Sequence, residues 1–159
     1  MSSSTSRRQF LSRTAAIGAG FGVWSSRSPV VRANESVLQG LSAACIGVGG
    51  KGSSDTSHIA EQGVSIVGLC DVDGGTVDKK SREFPDAGKF DDFREMLEKL
   101  GDKIDIVTVS TPDHTHAVAA LKAMQMKKHV YCQKPLTWSI HEARLMRETA
   151  EKMGVVTQM

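Results

Sequence analysis

Apolar residues between positions 41 and 159 form short continuous runs that alternate with stripes at helical spacing. Four runs have the length and composition of buried strands: 41–46, 64–70, 104–110 and 129–132. The polar stretch 73–75 predicts a turn before a short polar helix, and 155–159 begin one more strand. Strands that alternate with helices predict an α/β fold, in which helices cover a parallel sheet.

End signals mark two of the predicted helices. In the first, Asp91 is placed to cap the helix and Gly101 is placed to end it. Its apolar stripe consists of Phe90, Phe93, Met96, Leu97 and Leu100. In the second, Ser139 and Glu142 have the spacing of a capping box, and Gly154 is placed to end the helix. Both stripes are therefore predicted to pack against the sheet.

The first predicted strand leads directly into the glycine-rich turn Gly47-Val48-Gly49-Gly50-Lys51-Gly52. At this spacing Gly47 would make the turn, Gly49 would let a diphosphate contact bare backbone, and Gly52 would let the next helix lie close to the strand. The start of that helix would offer unpaired N–H groups to the phosphates. Glycine-rich turns are also common without any ligand, so the pattern alone leaves both interpretations open.

The second predicted strand ends at Asp71, which lies 24 residues after Gly47. An acidic residue about 20 residues after the first glycine commonly binds the adenosine ribose of a dinucleotide. A carboxylate there accepts hydrogen bonds from a 2′-hydroxyl and repels a 2′-phosphate, so NAD is favoured over NADP. Lys79 and Lys80 would weaken that preference if they faced the cofactor; the alternative is that both lie on a solvated helix face.

The third strand is followed by Thr111-Pro112-Asp113-His114-Thr115-His116. Ligands of open α/β sheets collect at the carboxyl ends of strands, so Thr111 and Pro112 are expected to border the cofactor. Two histidines at positions i and i+2 point to different sides of a helix, and no metal site is predicted. We expect His116 to be a packed or capping residue and His114 to lie at the surface.

The fourth strand is followed by Gln133-Lys134-Pro135. A lysine held at a strand end by a following proline is a candidate to face a reacting alcohol. The alternative is an ordinary surface lysine, and the spacing alone does not decide between them.

Residues 1–33 have the features of a twin-arginine export signal, followed by a linker at 34–39 and a domain at 40–159. Arg7 and Arg8 precede Phe10, a weakly apolar run covers 15–23, and Ala33 offers a cleavage site. The run is shorter than the ~20 residues that span a bilayer, so no stable membrane anchor is predicted. We expect the export machinery as a partner and a periplasmic location; the alternative is a disordered basic tail.

The net charge of the chain depends on whether residues 1–33 are included. The chain has 20 basic and 18 acidic residues, a net charge of +2. Residues 1–33 contain five of the arginines and no acid, so the rest of the chain carries −3. A slightly acidic domain argues against a nucleic-acid partner.

The three cysteines are not spaced as pairs. They are Cys45, Cys70 and Cys132, and each falls near the end of a predicted strand. An odd number without a C-x-x-C motif argues against a disulfide framework and against a zinc site. We therefore expect all three to be buried apolar residues.

In order and spacing, these motifs resemble the nucleotide-binding half of the Gfo/Idh/MocA oxidoreductases. The motifs that carry the resemblance are 47–52, Asp71, 111–116 and 133–135. The resemblance implies a Rossmann-type doubly wound parallel sheet in which Gly47, Gly49, Gly50 and Gly52 contact the diphosphate and Asp71 the adenosine ribose. It also implies that Thr111, Pro112, His116 and Gln133 line the NAD pocket and that Lys134 meets the substrate hydroxyl. Gln133 stands where the family usually has glutamate, which keeps a hydrogen-bonding side chain and removes its charge.

The family implies an NAD-dependent enzyme that transfers hydride between a sugar or cyclitol carbon and nicotinamide. Its second α/β domain supplies the substrate pocket and the remaining acid–base groups. We expect this chain to be the N-terminal part, with a sheet that is incomplete at its C-terminal end, inactive alone and homo-oligomeric in full-length form. The alternatives are an NAD-dependent glycosidase of the same family and a non-catalytic dinucleotide-binding fragment.

Overall fold

The computed structural model describes residues 39–159. The predicted export signal at 1–33 and nearly all of the predicted linker lie outside this range. Among the described residues, none of the helices combines the length and the apolar character required to cross a bilayer.

Within residues 39–159, six parallel strands form one sheet in the order β3-β2-β1-β4-β5-β6. The strands are β1 Ser42–Ile46, β2 Ser65–Cys70, β3 Gly88–Phe90, β4 Ile106–Val109, β5 His129–Cys132 and β6 Thr157–Gln158. The helices are α1 Gly50–Glu61, α2 Gly74–Ser81, α3 Phe93–Leu100, α4 Asp113–Gln125 and α5 Ile140–Met153, with a short 3-10 turn at Gly101–Lys103. The strand order reverses between β1 and β4, as in a doubly wound Rossmann-type sheet.

Both faces of the sheet are covered. Along β1, Ala44 and Ile46 point into the larger apolar cluster, whereas Ala43 and Cys45 point into the smaller one, as the two-residue period of a strand requires. The larger cluster is completed by side chains of α3, α4 and α5, and the smaller one by side chains of α1 and α2. This double burial explains why the central strands are continuous apolar runs.

Most of the predicted elements are confirmed. β5 has the predicted bounds, β1 and β2 begin one residue later than predicted, and β4 is shorter than the apolar run 104–110. The capping box is present, because Ser139 accepts from the Glu142 N–H and the Glu142 side chain accepts from the Ser139 N–H. Gly154 ends α5 in the left-handed conformation, with φ +66°. The expected last strand is the two-residue strand β6.

Three local predictions were wrong. Phe90 is not part of α3; it ends the edge strand β3, which pairs with β2. The cap of α3 is Asp92 and not Asp91, because the Asp92 carboxylate accepts from the Arg94 N–H at 2.8 Å. The predicted turn at 73–75 is the first turn of α2, which Asp73 caps by accepting from the Gly75 N–H.

Cys45, Cys70 and Cys132 are buried free thiols, as predicted. Burial raises the pKa of Cys132 to about 11, and burial together with Asp71 and neighbouring acids raises that of Cys70 to about 12. These thiols are therefore poor nucleophiles in the folded chain.

Candidate functional site

The glycine-rich turn joins β1 to α1 with almost no room for side chains. Gly47 has φ +79°, and a Cβ there would lie 2.7 Å from the Ser110 carbonyl oxygen. A Cβ at Gly52 would lie 1.8 Å from the Gly47 carbonyl oxygen. The close approach of helix and strand predicted for Gly52 is therefore confirmed, and the loop after β4 leaves no room for a Cβ at Gly47.

The first turn of α1 has backbone N–H groups without helical partners. The helix begins at Gly50 after the extended N-cap residue Gly49, no side chain of the described residues caps it, and its first turn contains no acid. The N–H of Ser53 is bonded to the Gly49 carbonyl, so the N–H groups before it lie ahead of the first helical bond. A Cβ on Gly50 would meet nothing within 4 Å. This open helix start can receive an anion.

Asp71 lies at the end of β2, beside the glycine-rich turn. Its Oδ2 accepts from the Val48 N–H at 3.0 Å, and its Oδ1 accepts from the Asp73 N–H at 3.1 Å. The carboxylate is thus fixed above the turn and only half-buried. Two N–H groups of the turn are thus already bonded, that of Gly47 to the Cys70 carbonyl and that of Val48 to Asp71, and the N–H groups at the helix start remain ahead of the first helical bond.

The two lysines on α2 differ in their environments. Lys79 is exposed, as expected for a solvated face. Lys80 is buried, and its Nζ lies 2.7 Å from both Ser57 Oγ and Glu83 Oε2. The solvated-face interpretation is therefore wrong for Lys80, whose charge is paired with Glu83.

The loop from β4 to α4 brings Thr111, Pro112 and His116 together. Pro112 is the exposed N-cap of α4, and His114 is exposed as predicted. His116 is 1% exposed, with Nδ1 2.7 Å from the Pro135 carbonyl oxygen and Nε2 2.7 Å from the Thr111 carbonyl oxygen. Its ring therefore joins the loop after β4 to the loop after β5, the packed role expected for it.

Lys134 lies just beyond β5, with an exposed side chain. Its N–H donates to the Gln133 Oε1 at 3.1 Å, and its peptide bond to Pro135 is cis. Gln133 is buried, and its Nε2 donates to the Asp55 Oδ2 at 3.0 Å. The structure thus places Lys134 at the rim and Gln133 beneath it.

Asp55 is a further residue of this edge of the sheet, and its local sequence does not predict that position. Its side chain is 7% exposed and accepts from Lys51 Nζ at 2.6 Å, Ser110 Oγ at 2.8 Å and Gln133 Nε2 at 3.0 Å. Burial alone would raise the pKa of this carboxyl, but the three hydrogen bonds outweigh burial and hold the pKa below its usual range. The only sequence signal was a lysine and an aspartate four residues apart on one helix.

The residues at this edge of the sheet fit a dinucleotide. The helix start suits a diphosphate, the Asp71 carboxylate suits ribose hydroxyls, and the Thr111 Oγ1 is buried without a hydrogen-bond partner among the described residues. Within residues 39–159, no three His, Cys, Asp or Glu side chains are grouped closely enough to hold a metal ion.

Residues 41–159 match the sequence model of the family described as "Oxidoreductase family, NAD-binding Rossmann fold", GFO_IDH_MocA. A glycosyl hydrolase family 109 protein of Saccharopolyspora erythraea is 33% identical over 92% of this chain and 37% of its own length. One from Shewanella sp. strain ANA-3 is 31% identical, with the same two coverages. The chain thus spans little more than a third of these relatives.

Solved structures with this fold include two at 25% identity. Myo-inositol 2-dehydrogenase from Lactobacillus plantarum superposes with a TM-score of 0.68, covering 74% of this chain and 35% of that one. GenD2 from gentamicin A biosynthesis, solved in complex with NAD, has a TM-score of 0.71 and coverages of 76% and 34%.

Proposed function

Because the chain belongs to the Gfo/Idh/MocA family of NAD-binding oxidoreductases, we propose that it is the nucleotide-binding part of an exported NAD-dependent enzyme. The reaction would transfer a hydride between a hydroxyl-bearing carbon of a sugar or cyclitol and nicotinamide. The observation that carries the proposal is the glycine-rich turn, where Gly47 and Gly52 leave no room for a methyl group and the Asp71 carboxylate lies over the turn.

Each residue of the site has a role in this proposal. The N–H groups at the start of α1 would bind the diphosphate, and Asp71 would accept hydrogen bonds from the adenosine ribose. Lys134, at the rim, would assist removal of the proton from the substrate hydroxyl. NAD, when bound, supplies the carbon that accepts the hydride. His116 would hold the loop after β4 against the loop after β5, and Gln133 would hold the loop after β5 against Asp55 on α1.

Calorimetry with NAD and NADP on the 159-residue chain tests the cofactor assignment. We expect NAD to bind more tightly than NADP, because the Asp71 carboxylate repels a 2′-phosphate. Asp71→Ser should weaken NAD binding by about 10-fold or more, since hydrogen bonds to a charged group contribute roughly 1.5–3 kcal/mol each. The matched control is Asp78→Asn, an exposed carboxylate on α2 paired with Lys89. Equal affinity for NAD and NADP, or no binding, would contradict the assignment.

A second activity is favoured by the relatives named glycosyl hydrolase family 109. In an NAD-dependent glycosidase, one sugar carbon is oxidised only transiently and the net reaction is hydrolysis. Oxidoreductase and glycosidase activity can be distinguished with a protein that has the full length of the relatives. This protein is incubated with NAD and either sugars or aryl glycosides. Accumulating NADH supports the oxidoreductase, whereas released aglycone without net redox change supports the glycosidase. NAD binding by such a form without turnover of either substrate would favour a non-catalytic module.

We also propose that residues 1–33 direct export through the twin-arginine route. The support is Arg7-Arg8 followed by Phe10-Leu11 and the small residue Ala33 at a cleavage position. Replacing both arginines with lysine should retain the protein in the cytoplasm, as measured by cell fractionation. The native protein should be recovered outside the cytoplasm with Asn34 as its first residue. Export of the lysine variant would contradict this proposal.

A further inference from the structure

Asp55 is a buried carboxylate that joins three elements at the edge of the sheet where the candidate site lies. It projects from α1 and bonds to Ser110, just after β4, and to Gln133, just after β5. Lys51, one turn earlier on α1, provides the compensating positive charge. The carboxylate therefore connects the helix that starts at the glycine-rich turn with the loop after β4 and with the loop after β5, which contains Lys134.

The Asp55 carboxylate determines how the Gln133 amide is oriented. An ionised carboxylate can only accept hydrogen bonds, so the NH₂ end of the Gln133 amide must face Asp55. The amide oxygen then points the other way, where it accepts from the Lys134 N–H at 3.1 Å. Two consecutive hydrogen bonds thus transmit the position of Asp55 to the backbone of Lys134.

We propose that Asp55 is the positioning residue of this site, which orients Gln133 and through it the backbone of Lys134, and that its carboxylate requires an uncharged amide at position 133. The inference rests on the proposed function in one respect, since Lys134 is taken to face the substrate. The hydrogen-bond chain itself is independent of that role.

Exchanging the charge between the two positions provides the critical test. Gln133→Glu would place a second carboxylate about 3 Å from Asp55, replacing the donor now found at 3.0 Å. Two buried carboxylates at this distance cannot both ionise without a large cost. Asp55→Asn removes the acceptor of Gln133 and leaves Lys51 without its partner. The double variant Asp55→Asn/Gln133→Glu again contains one carboxylate, one amide and Lys51.

Thermal unfolding of wild type, the two single variants and the double variant between pH 5 and 8 tests the pairing of Asp55 with Gln133. Relative to wild type, the Tm of Gln133→Glu should be about 10 °C lower at pH 8, with a smaller difference at pH 5, where one carboxyl can take up a proton. The double variant should regain most of the loss and show no such pH dependence. Within the described residues, the titratable groups that interact with Asp55 or with its partners include Lys51, Tyr131 and Cys45, none of which is a carboxyl or a histidine. Asp78→Asn serves as the control for an exposed carboxylate.

Two further readouts separate positioning from a general loss of stability. In ¹⁵N NMR spectra, the Lys134 amide and the Gln133 side-chain NH₂ should shift in Asp55→Asn at a temperature where the fold is intact. NAD affinity should fall at least 10-fold in Gln133→Glu and return to within about 3-fold of wild type in the double variant. If wild type does not bind NAD, the proposed function fails, while the pH dependence of Tm still tests the pair.

Two results would overturn the inference. One is a Gln133→Glu variant with the Tm and pH dependence of wild type. The other is a double variant whose loss of Tm equals the sum of the two single losses, because independent sites add whereas a contacting pair does not. If a single variant does not fold, the double variant can still be measured. A double variant that does not fold would contradict the proposed exchange of charge.

Discussion

At the scale of single residues, the site depends on positions where backbone segments touch. Gly52 and Gly47 are there because a neighbouring carbonyl oxygen occupies the volume that a Cβ would need. Such positions tolerate no side chain, whatever its polarity. Besides the role in cofactor binding that we propose for them, these glycines therefore allow α1 to pack closely against β1.

Gly52→Ala should be strongly destabilising. Its Cβ would lie 1.8 Å from the Gly47 oxygen, so the helix must move away from the strand, at a cost of about 3 kcal/mol or more in unfolding free energy. Gly74→Ala is the matched control, since its Cβ meets nothing within 4 Å, and its effect should stay within about 0.5 kcal/mol. Urea unfolding measures both. Equal stabilities would show that α1 is not packed as closely as described.

The Asp55 carboxylate should stabilise the fold only at pH values at which it is ionised. Its pKa is lowered in the fold, so the stabilisation is fully present above the ordinary carboxyl pKa of about 4 and is lost as the pH falls through the lower native value. We therefore expect the unfolding free energy of wild type to fall more steeply below pH 4 than that of Asp55→Asn. Asp78→Asn is the control: Lys89 also lowers the pKa of that carboxyl, but the pair is exposed and screened by solvent, so its effect on the pH profile should be much smaller. Parallel pH profiles for wild type and Asp55→Asn would contradict this expectation.

Sequence patterns predicted the backbone features of the site better than its side-chain contacts. The close approach at Gly52 and the strand-end positions of Asp71 and Lys134 follow from local patterns, because glycine spacing and apolar runs determine where a chain turns. The Asp55–Gln133 contact spans 78 residues of sequence. It arises only when β4 and β5 have been placed beside α1, and no local pattern reports that.

At the scale of elements, helix ends are well determined by sequence and short strands are not. The capping box of α5 was predictable because its two hydrogen bonds depend on residues three apart. β3 was missed because a three-residue strand has no measurable period, and its partner β2 supplies the pairing. The sequence pattern therefore places Phe90 in the next helix, because its spacing matches the apolar stripe of α3, whereas the residue lies in β3.

Ser139→Ala should lower the unfolding free energy by about 1 kcal/mol. The Ser139 side chain accepts from the Glu142 N–H, and no hydroxyl would replace it at the start of α5. Ser81→Ala is the control, because that hydroxyl bonds only a carbonyl within its own helix, α2, and its loss should cost less than about 0.5 kcal/mol. Chemical denaturation followed by circular dichroism gives both values. Equal losses for the two variants would contradict a capping role.

In the described part of the chain taken together, the two apolar clusters lie on opposite faces of the sheet. Alternate residues of β1 belong to different clusters, so both clusters depend on the same strand. We therefore expect the described part of the chain to unfold as one cooperative unit.

Thiol labelling tests that cooperativity. Cys45 and Cys70 are buried on β1 and β2, and their pKa values are raised by burial, so a maleimide or iodoacetamide reagent should react with them only after unfolding. We expect both to react at one shared rate, far below that of the urea-unfolded chain, as measured by mass spectrometry of peptides. Rapid labelling of one thiol while the other stays protected would show that a single face opens on its own.

The tight junction of β1, α1 and the loop after β4 also has a kinetic consequence. Because these segments are in direct contact, the backbone around the glycine-rich turn has no room to rearrange after a ligand binds. Association of a dinucleotide with the glycine-rich turn should therefore occur in a single exponential phase. The observed rate constant should rise linearly with ligand concentration, without the plateau that an induced rearrangement produces.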